Sequence, residues 1–120
     1  MARVLVIDDD PGYRELLSLL LSGHEMQVCG SAEEAEPWFK KREFDLVICD
    51  INLGEKRLSG LEFLREKRAQ GLTETIPFVM CSSMSDPATK STAIEEGAAA
   101  FLVKPFAPDA FALLLKGLLG

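Results

Sequence analysis

Short apolar runs at about residues 3 to 7, 26 to 29, 45 to 49, 77 to 81 and 99 to 103 punctuate the chain, and each is followed by a segment whose apolar residues recur at helical spacing. Several of the runs are continuous rather than alternating, as in Val4-Leu5-Val6-Ile7 and Leu46-Val47-Ile48-Cys49. A continuous apolar strand must be covered on both faces, and the covering elements here are the intervening helices. The pattern predicts an α/β fold, a doubly wound parallel sheet of five strands flanked by five helices.

The helix boundaries can be read from local chemistry. Asp10 is placed to cap the first helix with Pro11 in its first position, and the apolar face Leu16, Leu17, Leu20 and Leu21 runs to a stop at Gly23. Ser31 and Glu34 make a capping box for the second, but Pro37 falls inside it and cannot donate its hydrogen bond, so that helix should be irregular. The third spans about Ser59 to Gln70 and ends at Gly71. The fourth starts at Asp86-Pro87 and runs to Gly97 through an alanine-rich stretch with few large apolar residues, which should pack weakly. The fifth, from about Pro108 to Leu119, places Phe111, Leu114, Leu115 and Leu118 on one face and Leu113 nearly opposite, at about 100° per residue.

The 120 residues fit one domain, residues 1–120, with no repeats or linkers. No apolar stretch approaches the roughly 20 residues of a membrane span, and the amino terminus enters a strand without a leader pattern, so the expected location is cytoplasmic, off the membrane. The net charge is −6 and the cations are scattered apart from a cluster between Arg65 and Arg68, which argues against direct nucleic-acid binding. Cys29, Cys49 and Cys81 lack metal-ligand spacing and read as reduced core residues. His24, in a turn without a Cys or His partner nearby, reads as surface.

Candidate chemistry gathers where strands end. Asp8, Asp9 and Asp10 follow the first run, Asp50 the third, Ser82 the fourth and Lys104 the fifth, and a parallel sheet brings these ends to one edge, where ligands bind. Packed carboxylates repel each other and lose solvation, so Asp8, Asp9 and Asp50 call for a cation, and Mg2+ suits a few carboxylates with waters and phosphoryl oxygens. A carboxylate such as Asp50 can carry a phosphoryl group as an acyl phosphate, with Lys104 as a point charge for its oxygens.

This ordered set resembles the receiver domain of bacterial two-component response regulators, and the resemblance covers essentially the whole chain. It implies the flavodoxin-like, CheY-like strand order 2-1-3-4-5 and a phosphoacceptor signalling domain rather than a dedicated enzyme, with limited self-phosphorylation and self-dephosphorylation. Carried over residue by residue, it implies phosphorylation of Asp50 by a sensor histidine kinase or phosphotransfer protein. Mg2+ would be held by Asp9 and Asp50, the Asn52 carbonyl and, through water, Asp8. Lys104 would pair with the phosphoryl group and precede a cis peptide bond to Pro105. Ser82 and Phe101 would be the switch residues, reporting to a downstream protein or output domain and in some relatives to a phosphorylation-dependent dimer.

Two positions depart from the family pattern. The family commonly carries Pro four and Gly eight residues after the acceptor, whereas here Gly54 and then Gly60 follow, across the charged stretch Glu55-Lys56-Arg57-Leu58-Ser59. Phe101 also lacks the hydroxyl of the frequent Tyr, leaving packing as its means of switching. Two competing readings are open to the sequence. Asp8-x-Asp10 resembles the nucleophile motif of haloacid dehalogenase-type phosphatases, although Pro11-Gly12 follows it and no late Asp-Asp pair exists. The other is an interaction domain that keeps the fold without the phosphorylation.

Overall fold

The computed structural model describes residues 2–53, 58–83 and 87–120. Strands β1 (Arg3–Ile7), β2 (Glu25–Cys29), β3 (Leu46–Asp50), β4 (Phe78–Ser82) and β5 (Ala100–Val103) form one sheet in the order β2-β1-β3-β4-β5. Every pairing is parallel. Around it lie α1 (Pro11–Leu20), α2 (Ala32–Ala35), α3 (Trp38–Lys41), α4 (Gly60–Ala69), α5 (Pro87–Glu95) and α6 (Pro108–Leu119). Pro37 divides the expected second helix into α2 and α3. A 3-10 turn over Leu72–Glu74, which the periodicity does not announce, follows α4.

Strand alternation sorts the core into two layers. Leu5, Ile7, Val47, Cys49, Phe78 and Met80 face α2 to α5, meeting Ala35, Phe63, Leu64 and Ala93. Val4, Val6, Leu46, Ile48, Val79 and Cys81 face α1 and α6, meeting Leu17, Leu21 and Phe111. The central strands β3 and β4 are buried along their whole length, which explains why they read as continuous apolar runs. Of the expected α1 face, Leu17 and Leu21 are buried while Leu16 and Leu20 are half-buried, because their flank borders solvent.

The caps expected at Asp10 and Ser31 are present, the second without its full box. The Asp10 carboxylate accepts from the Gly12 amide at 2.9 Å, with Pro11 in the first turn. Ser31 accepts from the Glu34 amide, while Glu34 accepts from Gly30 rather than closing the box on Ser31. Ser59 and Glu62 complete a full capping box at α4. The Asp86 cap expected for α5 lies outside the described residues, as do Gly54 to Arg57 of the charged loop. Within α5 only Ala93 is buried, in keeping with the few large apolar residues there.

Asp50 and Ser82 are the last residues of β3 and β4, at the strand ends where the sequence puts them. The backbone ladder continues past them, with Ile51 donating to Cys81 O and Lys104 to Ser82 O. His24 is half-buried rather than a free surface residue, because its Nδ1 accepts from the Ala2 amide at 2.9 Å and ties the α1–β2 turn to the start of β1.

Candidate phosphoacceptor site

The carboxyl edge of β1, β3 and β5 brings Asp8, Asp50 and Lys104 into direct contact. Lys104 Nζ donates to Asp8 Oδ2 at 2.7 Å and to Asp50 Oδ2 at 2.9 Å, and all three side chains are almost fully buried. Asp8 Oδ1 accepts from the Asp10 amide and Asp50 Oδ1 from the Asn52 amide at 3.0 Å, so each carboxylate is fixed by one backbone donor and one ammonium. Arg14 Nε donates to the Asp8 carbonyl and anchors the turn from below. A cleft of about 290 Å3 opens here, lined by Asp9, Asp10, Tyr13, Asp50, Asn52, Ser83, Lys104 and Pro105.

Charge and burial compete at this point. Burial raises the Asp50 carboxyl above its ordinary range, and the hydrogen bonds from Lys104 and the Asn52 amide oppose it without cancelling it. For Lys104, burial alone would lower the ammonium, but the hydrogen bonds it donates to Asp8 and Asp50 outweigh it and the net shift is upward. The ion pair therefore acts in the expected sense on both partners, while desolvation dominates at the carboxylate. Burial also pushes the thiol of Cys81 up to about 12 and that of Cys49 well above its usual value, which makes them poor nucleophiles.

One carboxylate oxygen from each of Asp8, Asp9 and Asp50 lies within 4.8 Å of the others. These are hard oxygen donors, and Asp9 is exposed, which leaves room for coordinated water; the set fits Mg2+. Ser82 has no exposed surface, and it is its neighbour Ser83 that lines the cleft. Phe101 is half-buried against the α2-to-α5 layer of the core. The Lys104–Pro105 peptide bond is cis.

A Cβ on Gly60 would collide with the Asp50 carbonyl oxygen and lie 2.7 Å from Ile51 Cα, so α4 starts pressed against the end of β3, where no larger residue fits. The Gly60 amide donates to Ile51 O at this approach.

A family model for the response regulator receiver domain matches residues 4–116. The chain belongs to the receiver domain family of response regulators. Among curated relatives, response regulator protein FleR of Pseudomonas aeruginosa is 38% identical over 119 residues, covering 94% of this chain and 23% of that protein. The probable transcriptional regulator ycf27 of Porphyridium aerugineum is 30% identical over 119 residues, covering 98% of this chain and 48% of that protein. The chain thus spans from about a quarter to about half the length of these relatives. Among solved structures, the NtrX receiver domain of Brucella abortus is 36% identical with a TM-score of 0.87, covering 97% of each chain. Chemotaxis protein CheY4 of Vibrio cholerae is 31% identical with a TM-score of 0.86, covering 98% of each.

Family membership makes this a receiver domain, the phosphoacceptor signalling module of response regulators. It disfavours the phosphatase reading, and the geometry agrees: Asp10 is engaged as a helix cap and Asp8 is held by Lys104 and the Asp10 amide. Among the described residues no helix is long and apolar enough to cross a membrane. Ser83, an alternative to Ser82 as the hydroxyl after the fourth strand, lines the cleft, whereas Tyr13 and Arg14 are the site residues that sequence reasoning missed; the cap at Asp10 puts Tyr13 in the first turn of α1, but nothing in the sequence links it to Lys104.

Proposed function

We propose that Asp50 accepts a phosphoryl group from a phosphohistidine of a sensor kinase or phosphotransfer protein, within a domain spanning residues 1–120. The observation that carries this reading is the contact of Lys104 with both Asp8 and Asp50 at the mouth of one acidic cleft. An Asp50 carboxylate oxygen attacks phosphorus, the phosphorus–nitrogen bond breaks, and the imidazole leaves with the electron pair and takes up a proton. An acyl phosphate results. The Lys104 ammonium moves its hydrogen bond from Asp50 to the incoming phosphoryl oxygens, opposing negative charge where it accumulates. Mg2+, when held by Asp8, Asp9, Asp50 and the Asn52 carbonyl, supplies further neutralisation of those oxygens.

Ser82 and Phe101 are assigned the switch. Ser82 ends β4 beside the acceptor strand, in register with Val103 of β5, and Phe101 lies two residues before Val103. A hydroxyl drawn toward the phosphoryl group would loosen the start of α5 and let Phe101 repack, altering the α5–β5–α6 edge that a downstream protein or output domain reads. Slow hydrolysis of the acyl phosphate would return the domain to its resting form, in a cytoplasmic setting.

Incubation with acetyl phosphate and Mg2+ followed by intact-mass measurement tests the assignment. One phosphoryl mass should add to the parent and none to Asp50→Ala. Full labelling of that variant would sink it.

A further inference from the structure

We propose that Tyr13 is a positioning residue for the phosphoryl-transfer chemistry, its ring face holding the Lys104 ammonium in place over the acceptor. This rests on the assignment of Asp50 as the acceptor. Lys104 Nζ sits over the Tyr13 ring, 4.0 Å from its centroid, and Tyr13 and Lys104 line the same cleft. That distance is well inside the range of a cation–π contact, and the contact is strongest when the cation is desolvated, as the almost fully buried Lys104 side chain is.

The need for such a surface follows from the chemistry. A lysine is a point charge on a flexible four-carbon stem, so something must fix where its charge lies. In the resting domain Asp8 and Asp50 do this, but Asp50 is consumed as an acceptor during the reaction and its hydrogen bond to Lys104 is given up. The face of an aromatic ring is neutral and unaffected by the transfer. It keeps the ammonium beside the acceptor while the carboxylate partner changes, and it occupies space that water would otherwise take.

Tyr13 is itself held on both sides. The Asp10 cap and Pro11 fix the first turn of α1 from which it projects. Behind it, its ring meets Phe106 at 6.1 Å between centroids, and Phe106 stacks on the buried Phe111 at 5.4 Å. An aromatic file therefore runs from Lys104 into the α1–α6 layer of the core and restrains the ring that faces the ammonium.

A plain packing role for Tyr13 against Phe106 makes a different prediction from a cation–π role, because fluorination of a phenyl ring drains charge from its face while hardly changing its size. Position 13 is replaced by Phe, by 4-fluoro-, 3,5-difluoro- and 3,4,5-trifluorophenylalanine, and by Leu, and labelling by acetyl phosphate is timed in saturating Mg2+. Tyr13→Phe keeps the ring face and is expected to keep most of the rate. The rate should then fall stepwise with each fluorine, and Tyr13→Leu should be slower roughly five- to tenfold. Melting temperatures should stay level across the fluorinated series, which decides the matter even if Tyr13→Leu fails to fold. In the unphosphorylated parent, the ε-methylene protons of Lys104 should show an upfield ring-current shift in NMR spectra that disappears in Tyr13→Leu.

A rate that does not change with fluorination, or an ordinary Lys104 shift in the parent, overturns the role of Tyr13 while leaving Asp50 as the acceptor. Absence of any label on Asp50 in the parent overturns the acceptor assignment, and this role with it.

Discussion

The Asp50 carboxylate sits where burial works against its charge. Its folded carboxyl is raised above its ordinary value mainly by burial, so the folded domain binds that proton more tightly than the unfolded chain does. The sign follows directly: the contribution is favourable below the unfolded value and is lost as pH rises through the folded one, leaving the ionised carboxylate destabilising at neutral pH. Asp50→Asn removes the charge and leaves Lys104 its Asp8 partner. Its melting temperature should exceed the parent's at pH 7, with the gain shrinking as pH falls into the carboxylate range. A lower melting temperature at pH 7 would show that the ion pair outweighs desolvation. Gly60 is the other residue with no freedom, since a methyl group there meets the Asp50 and Ile51 backbone. Gly60→Ala should cost about 2 to 3 kcal/mol in urea unfolding and slow labelling of Asp50, by forcing α4 off the acceptor strand. The meeting of Asp8, Asp9, Asp50 and Lys104 was legible in the sequence, because strand ends of a parallel sheet converge. The sequence did not reveal Tyr13, whose place at the site depends on which side of the first turn of α1 it faces.

At the scale of elements, the strands were legible because a strand covered on both faces must be apolar throughout, and the break at Pro37 because proline removes a donor. Asp50 and Ser82 close their strands as expected, since a polar side chain can point into a site while its backbone stays in the ladder. The burial of Lys67 was not legible at all. It lies on the core face of α4, 1% exposed, with its ammonium 2.7 Å from Glu36 Oε1, 3.2 Å from Gln70 Oε1 and 5.0 Å from the ring centroids of Phe39 and Phe63. The pair joins α4 to the irregular α2–α3 segment, and buried pairs of this kind add less to stability than an apolar contact of the same size. Lys67→Met should therefore be neutral or stabilising in urea unfolding. Glu36→Ala should cost about 2 kcal/mol, less than for a fully buried pair because the Glu36 side chain is 48% exposed and water replaces part of what is lost. Equal effects of the two variants would contradict this account of the segment.

For the whole molecule, the layer arrangement decides where a signal can leave. Helices α5 and α6 pack on opposite faces of the sheet with the edge strand β5 between them, and this edge exposes Ile94, Val103 and Leu113, the last at 72%. With the weakly packed α5 beside the site, phosphorylation or a beryllofluoride mimic is expected to promote self-association or partner binding through this edge. Leu113→Glu should abolish the assembly seen by light scattering and leave labelling of Asp50 intact; unchanged assembly would move the output elsewhere. All of this depends on where the phosphoryl group goes, and borohydride trapping measures that most directly. Reduction of the acyl phosphate after treatment with acetyl phosphate and Mg2+ turns the modified aspartate into homoserine, which peptide sequencing by mass spectrometry locates. The account predicts homoserine at Asp50 and at no other carboxylate; homoserine at Asp8, or none in a fully folded sample, would contradict it.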